Sequence, residues 1–181
     1  MPRVSTVAAT LTPFAARAGG PVRALEAQVE RSGAVLRFQY TLDADLRRIR
    51  IPERRQPAAT NGLWQHTCFE AFVMRAPASD DYRELNFSPS TQWAAYSFDR
   101  YREGMAALAM AEAADVRVEI ASSKLHVDAR VSATALFPGA TLRVALAAVI
   151  EDDSGTLSYW ALKHAPSRPD FHHPAGFILE V

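Results

Sequence analysis

Apolar and polar residues alternate one by one along much of this chain, and this pattern constrains its fold more than any other feature. The alternation is clearest in VLRFQYTL (35–42), KLHVDARVS (124–132) and LRVALAAVIEDD (142–153). Successive side chains of a β-strand point to opposite faces, so this pattern predicts strands that are buried on one side. The turn-forming segments RSGA, FSPSTQ, FPGAT and DDSGT separate the strands. We therefore expect an all-β fold.

Helix signals are few. The Ala-rich segment EGMAALAMAEAAD (103–115) is compatible with a short helix or with a loop, and VRALEAQVE (22–30) alternates as a strand does. Many short strands at regular spacing predict an antiparallel β-sandwich with at most one or two short helices. The length of 181 residues fits a single domain over 1–181.

Charge and cysteine content narrow the function classes. Lys and Arg together number 20 and balance 20 Asp and Glu, so no overall field attracts nucleic acid or an anionic membrane. The lone cysteine, Cys68, can form neither an intrachain disulfide nor a CxxC metal site. No run approaches the roughly 20 apolar residues of a membrane span, and the N-terminal segment is a poor signal peptide. We expect a cytoplasmic protein without nucleic-acid or membrane partners.

Two neighbouring segments combine aromatic, carboxyl and amide groups. If LWQHTCFEAFV (63–73) is a strand, alternation places Trp64, His66 and Glu70 on one face. In YRELNF (82–87), Glu84 and Asn86 share a face. Aromatic rings cover the C–H faces of a sugar while carboxyl and amide groups pair with its hydroxyls, so this surface suits a polyhydroxylated ligand. Alternatively, Glu70 and His66 satisfy each other and the aromatic residues are only packing.

The segment SYWALKHAPSRPDFHHP (158–174) starts as a strand and continues as a proline-rich loop. Its potential metal ligands, His164, Asp170, His172 and His173, match no established spacing, so we expect no metal and no change of melting temperature in EDTA. Prolines lower the entropy lost when a loop is ordered. The sequence therefore predicts a rigid polar lid in which Arg168, Asp170 and His172 face a ligand.

The strings LWQHTCFEAFV, YRELNFSPSTQWAAYSFDRYREGM and SYWALKHAPSRPDFHHPAGF together resemble the bacterial DOMON-like proteins that are related to family 9 carbohydrate-binding modules. The resemblance runs from about residue 11 to the C-terminus. It implies an immunoglobulin-like antiparallel β-sandwich with a ligand site on the concave face of one sheet. DOMON relatives bind haem or sugars, and family 9 modules hold a sugar between two tryptophans.

The leading hypothesis is a non-catalytic domain that binds a sugar or a sugar-containing metabolite. Trp64, with Trp93 or Trp160, would stack on the sugar ring, while carboxyl and amide groups bind its hydroxyls. Residues of the proline-rich loop would close the rim. The candidate ligand-binding residues are Trp64, His66, Glu70, Glu84, Asn86, Trp93, Trp160, Lys163, His164, Arg168, Asp170 and His172.

Two alternatives remain open. The first is a haem-binding, cytochrome-like domain, for which the resemblance implies Met with His or Lys as axial ligands, and His66, His164 and Met74 are available. The second is a glycoside hydrolase that uses Glu70 and Glu84 as its carboxyl pair. Carboxyl groups about 5–5.5 Å apart suit a retaining mechanism and about 6.5–9.5 Å an inverting one.

Overall fold

The computed structural model describes residues 4–16 and 19–181. Over these residues the chain forms thirteen β-strands and one short helix, α1 (Ala133–Leu136). Short 3-10 turns lie at Leu46–Arg48, Leu63–Gln65 and Pro174–Gly176. No helix in the described ranges is long and apolar enough to cross a membrane. The strands are β1 (Val4–Thr10), β2 (Thr12–Pro13), β3 (Val22–Ser32), β4 (Val35–Ala44), β5 (Cys68–Arg75), β6 (Tyr82–Phe87), β7 (Trp93–Phe98), β8 (Ala106–Ala107), β9 (Asp115–Ala121), β10 (Lys124–Ser132), β11 (Leu142–Glu151), β12 (Leu157–Ala161) and β13 (Leu179–Glu180).

The strands form two antiparallel sheets that pack face to face. The small sheet has five strands in the order β1-β3-β4-β10-β9. The large sheet has eight, in the order β2-β12-β11-β5-β6-β7-β8, with β13 added beside β11. The prediction of an all-β sandwich with very little helix is confirmed.

Most predicted strands are present, the choice left open for one segment is decided, and one local prediction needs correction. VRALEAQVE lies in β3, whereas EGMAALAMAEAAD forms no helix and contributes only β8 and the start of β9. The strand predicted for LWQHTCFEAFV was too long, because β5 begins only at Cys68. Gly62 adopts a left-handed conformation at φ 80°, and the amides of Gln65 and His66 bond to carbonyls in the turn. Alternation therefore does not govern Trp64 and His66.

The main core lies between the sheets and takes every second residue of each central strand. Phe69, Ala71 and Val73 of β5 face Phe38 and Tyr40 of β4, and all five are buried. The rings of Tyr40 and Phe69 lie 5.1 Å apart. The hydroxyl of Tyr40 donates to the carbonyl oxygen of Glu70 at 2.8 Å, which ties the small sheet to the middle of β5.

The face of the large sheet that points away from the small sheet, here called the outer face, is also largely buried. It carries a second apolar cluster that the segment 162–178 and the turn Leu63–Gln65 cover. Burial of both faces explains why β5 is apolar at nearly every position. The buried members of this cluster are Phe72, Met74, Tyr82, Ala94, Tyr96, Phe98, Ala145, Ala147, Ala161 and Phe177.

Candidate ligand-binding cavity

A cavity of about 550 Å³ opens on the outer face of the large sheet. Strands β5, β6, β7, β11 and β12 form its floor, and the turn Leu63–Gln65, the segment 99–105 and the segment 162–178 form its walls. The lining combines aromatic rings with two buried carboxyl groups. Its members are Trp64, Gln65, Glu70, Glu84, Phe98, Arg102, Met105, Val149, Leu157, Tyr159, Pro169, Phe171 and His172.

The pairing of β5 with β6 brings the two carboxyl groups together. Glu70 pairs with Asn86, and Glu84 pairs with Phe72, so the two glutamates are diagonal neighbours on one face. On the other side of Glu70, β11 places Ala147 directly opposite. The small side chain of Ala147 leaves open space beside Glu70, and this explains why the cavity reaches the floor there.

Glu70 is only 3% exposed. Its Oε1 atom has no hydrogen-bond partner among the described residues. Burial, followed by the nearby charge of Glu84, raises the pKa of Glu70 well above its usual value. Glu70 is thus a buried acid that favours its neutral form and has hydrogen-bonding capacity left for a ligand.

Glu84 is buried as well, but it has partners. The side-chain amide of Asn86 donates to Glu84 Oε1 at 3.0 Å. Burial raises the pKa of Glu84, while the Asn86 hydrogen bond and the charge of Arg102 partly oppose that rise. The two carboxyls therefore differ: Glu84 is held in place by its neighbours, whereas Glu70 is not.

A hydrogen-bond relay determines the state of His172. The hydroxyl of Tyr82 accepts from the backbone amide of Arg102 at 3.1 Å, so its proton is free to go to Nδ1 of His172, 2.8 Å away. With Nδ1 as acceptor, the proton of the neutral ring sits on Nε2, which lies 3.7 Å from Glu84 Oε2. Burial and the charge of Arg102 lower the pKa of His172 to about 4, so the ring is neutral at neutral pH.

Asp170 joins two segments at the rim of the cavity. It accepts hydrogen bonds from the hydroxyl of Tyr101, from the guanidinium of Arg102 at 2.7 Å, and from the amide of His172 at 3.2 Å. Burial alone would raise the pKa of Asp170, but the bonds from Tyr101 and Arg102 outweigh it, and the pKa is lowered. This ionised pair holds the segment 162–178 against the segment 99–105.

Aromatic residues supply the walls. Trp64 meets Tyr96 edge to face, with ring centroids 5.6 Å apart. Phe171 lies 6.4 Å from Phe72 and 6.1 Å from Tyr159. Contacts of this kind hold the rings in fixed positions around a space that a small molecule would fill.

Some of the residues selected from the sequence meet at the cavity. Trp64, Glu70, Glu84 and His172 line it. Two others support it without lining it: Asn86 binds Glu84 from within the sheet, and Asp170 anchors the segment that carries His172. Trp64 and His172 lie in a turn and a loop, so their positions at the cavity do not follow from strand alternation, although alternation was used to place Trp64 beside Glu70.

Four other candidates lie outside the cavity lining. His66 bonds through Nδ1 to Glu151 at 2.7 Å and lines a separate polar groove. His164 bonds through Nε2 to the carbonyl oxygen of Thr12 at 2.7 Å. Lys163 and Arg168 are exposed in the segment 162–178. The segment predicted as a polar lid therefore presents both apolar and polar side chains to the cavity, namely Pro169, Phe171 and His172.

The expectation that Trp93 or Trp160 stacks on a ligand beside Trp64 is corrected. Both indoles belong to the core cluster between the sheets, on the far side of the large sheet from the cavity. Trp160 follows Tyr159 in β12, and neighbouring residues of a strand point to opposite faces, so Tyr159 faces the cavity instead. Trp93 is opposite Phe87 and shares its core-facing side.

The lining also includes residues that the sequence did not single out. Tyr159 and Phe98 could have been found by extending the strand alternation from Glu70 and Tyr82 across the neighbouring strands. Arg102 and Met105 come from the turn between β7 and β8, where no periodic signal operates. The residues missed are Gln65, Phe98, Arg102, Met105, Val149, Leu157, Tyr159, Pro169 and Phe171.

The cofactor alternatives can be compared with this geometry. Over residues 4–16 and 19–181, no group of three or more His, Cys, Asp or Glu side chains is arranged to hold a metal ion. The haem candidates do not converge either. His66 lines the polar groove, His164 packs against Phe14 at 5.4 Å, and Met74 is buried in the outer-face cluster. None of these three lines the cavity, so they do not form an axial pair there.

Comparison with known proteins supports the fold. No protein-family model matches the chain, and no curated protein matches it. Among solved structures, a putative carbohydrate-binding protein from Bacteroides uniformis has a similar fold, with a TM-score of 0.64 and 16% sequence identity. The match covers 85% of this chain and 76% of that one. At this identity the similarity shows a shared β-sandwich architecture.

Proposed function

We propose that this protein binds a sugar or a sugar-containing metabolite in the cavity of the large sheet and does not transform it. The observation that carries the proposal is the pairing of aromatic walls, among them Trp64 and Tyr159, with the buried carboxyls Glu70 and Glu84 on one floor. Aromatic rings cover the apolar faces of a sugar ring, and carboxyl oxygens accept from its hydroxyls.

The size and construction of the cavity favour a small ligand. Its volume of about 550 Å³ lies within the range of roughly 300–1,000 Å³ that is usual for small-molecule sites. Hydrogen bonds and ring contacts within the protein hold Glu84, His172 and Phe171 in place. Such preorganisation reduces the entropy lost on binding.

We further propose that the chain is a DOMON-like domain related to family 9 carbohydrate-binding modules. The three sequence blocks that resemble this family include Trp64, Glu70, Glu84 and His172, and all four line the cavity. The carbohydrate-binding description of the structural neighbour is consistent with the same ligand class. Tyr159 and Phe171 line the same cavity as Trp64, and we propose that they take the part that the second tryptophan has in family 9 modules.

The test is a titration of the purified protein with neutral and amino monosaccharides and disaccharides, followed by calorimetry and thermal shift. A ligand that binds the folded state alone raises the melting temperature as its concentration increases. Trp64→Ala should abolish the rise. Ile120→Ala is the control, since Ile120 is 58% exposed on β9 of the small sheet and should leave the rise unchanged. A ligand that binds both variants equally would place the site elsewhere.

One observation favours a second function, a glycoside hydrolase. Glu70 and Glu84 line the same cavity, and burial raises the pKa of both, as a general acid requires. This alternative predicts the release of reducing sugar from a glycan or an aryl glycoside, and its loss in Glu70→Gln with binding retained. Binding without turnover across such a panel would contradict the hydrolase function and leave only the binding function.

A further inference from the structure

We propose that the ligand carries a free ammonium group, as an amino sugar does, and that this group binds between Glu70 and Glu84. The proposal rests on the proposed function, since it assigns the chemical class of the ligand in the same cavity. What carries it is a pair of buried carboxyls on one floor, neither of which forms an ion pair with a Lys or Arg among the described residues, and one of which leaves its Oε1 atom without a partner.

The cationic groups at the cavity are already engaged or uncharged. Arg102 directs its Nε and Nη2 atoms to Asp170, at 3.2 and 2.7 Å, so its charge is largely balanced at the rim. The ring of His172 is neutral, because its Nδ1 atom accepts from Tyr82 and its pKa is low. The floor therefore carries two acids that have no cationic partner bonded to them among the residues described, although the charge of Arg102 acts on Glu84.

The two acids are positioned to share a cation. They are diagonal neighbours on β5 and β6, and cross-strand diagonal positions lie about 7–8 Å apart at the backbone, within reach of one bound group. An ammonium group has three donors and no acceptor, so it can bond to both carboxyls at once. The Oε1 atom of Glu70, which is buried without a partner, is the acceptor that such a donor would satisfy.

The walls also suit a cation. Trp64, Phe98 and Phe171 line the cavity, and Tyr159 adds a fourth aromatic ring. Aromatic rings attract an ammonium group through their negatively charged faces. A neutral hydroxyl gains much less from this effect, so aromatic walls are compatible with an amine on the sugar ring.

Binding of an ammonium group should release a proton from the protein, whereas binding of a neutral sugar should not. In the free protein Glu70 favours its protonated form. A cation placed against it favours the carboxylate, so the proton of Glu70 leaves to the buffer while the ligand remains charged. The other titratable groups around Glu70 are Glu84 on β6, Cys68 on its own strand, Tyr40 on the small sheet and, around the cavity, Tyr96, Arg102 and His172.

The experiment is calorimetry with glucosamine, N-acetylglucosamine and glucose at mildly acidic pH, in two buffers of different ionisation enthalpy. Glucosamine should bind about 10- to 100-fold more tightly than the other two, which is the range for a hydrogen bond to a charged group. Only glucosamine should release protons, up to about one per site. Glu70→Gln should reduce the preference to below about threefold and remove the proton release, whereas Glu119→Gln, exposed on β9, should leave both unchanged.

The possible failures are distinguishable. Equal binding of glucose and glucosamine would overturn the amine proposal and leave the sugar-binding function standing. No binding of any sugar to a folded protein would overturn both. If Glu70→Gln does not fold, Glu84→Gln tests the same point, because it removes the other carboxyl of the pair. Preference for glucosamine that persists in the folded Glu70 variant, with protons still released, would place the ammonium group elsewhere.

Discussion

The outer faces of the two sheets differ in composition and in environment: that of the large sheet is mostly apolar, whereas that of the small sheet is polar. On the small sheet Arg37, Gln39 and Asp128 are partly exposed, and Arg37 forms an ion pair with Asp128 on the neighbouring strand. On the large sheet the equivalent face buries Glu70, Phe72 and other residues almost completely. The strand pairing is antiparallel in both sheets, so it does not account for the difference.

What differs is the covering. The segments 162–178 and 99–105 and the turn Leu63–Gln65 lie over the large sheet, whereas the central strands of the small sheet keep a solvent-accessible face. An acid on the small sheet pairs with a base in water, where little is gained or lost. An acid under the cover of the large sheet loses its hydration, and its pKa rises. Loops thus enclose one face of this sandwich and turn it into a cavity with desolvated acids on its floor.

The largest effect should come from removing an apolar side chain on the covered face. Phe72→Ala should lower the free energy of unfolding by about 3–5 kcal/mol, because Phe72 is fully buried and its loss opens a cavity. Gln39→Ala, on the open face of the small sheet, should cost less than about 1 kcal/mol. Urea denaturation measures both. Similar values for the two variants would mean that the covering segments add little to stability.

The next largest effect should be a change in the pH dependence of stability in Glu70→Gln, which removes the buried acid from the covered face. The pKa of Glu70 is raised in the folded state, so wild-type stability is fully present below the unfolded-state value of about 4.3 and falls as pH rises toward the folded value. The variant lacks this loss. As pH rises, its free energy of unfolding relative to that of the wild type should increase by up to about 1.4 kcal/mol per pH unit. Chemical denaturation at several pH values checks this. If the difference in free energy of unfolding between variant and wild type is constant from pH 4 to 8, Glu70 ionises normally.

Asp170→Asn should weaken the cover itself. The substitution removes the charge that Arg102 binds, and we expect a loss of about 1–3 kcal/mol together with weaker ligand binding. The pKa of Asp170 is lowered by folding, so its contribution is present above the unfolded value of about 3.9 and is lost as pH falls through the folded value. Hydrogen exchange should speed up in 165–173 and remain unchanged in β10. If exchange in 165–173 is the same in the variant and the wild type, Asp170 does not hold this segment in place.

The smallest effect should come from breaking the ion pair on the solvent-accessible outer face of the small sheet. A double-mutant cycle with Arg37→Ala and Asp128→Ala should give a coupling energy of about 0.2–1 kcal/mol, because both side chains are partly exposed and salt screens them. Repeating the cycle in high salt should reduce it further. A coupling well above that range would show that this face is shielded more than its exposure suggests.

Alternation predicted much of the architecture. The stretches around Phe38, Val127 and Leu146 are strands with the faces expected, because a period of two leaves one orientation that buries the apolar side. Glu70 and Glu84 were placed on one face of adjacent strands for the same reason. The rule failed where it was extended past the strand end, at Trp64 and His66, because Gly62 starts a tight turn there.

The sequence by itself determined which residues alternate, and therefore the sandwich and the shared face of the two glutamates. Only the tertiary structure decided which face is covered, because covering depends on where loops distant in sequence come to lie. It buried Trp93 and Trp160 between the sheets, and it brought Arg102 to Asp170 across 68 residues. Strand periodicity is a local property of the backbone, whereas the loss of solvent around Glu70 is a property of the whole assembled fold.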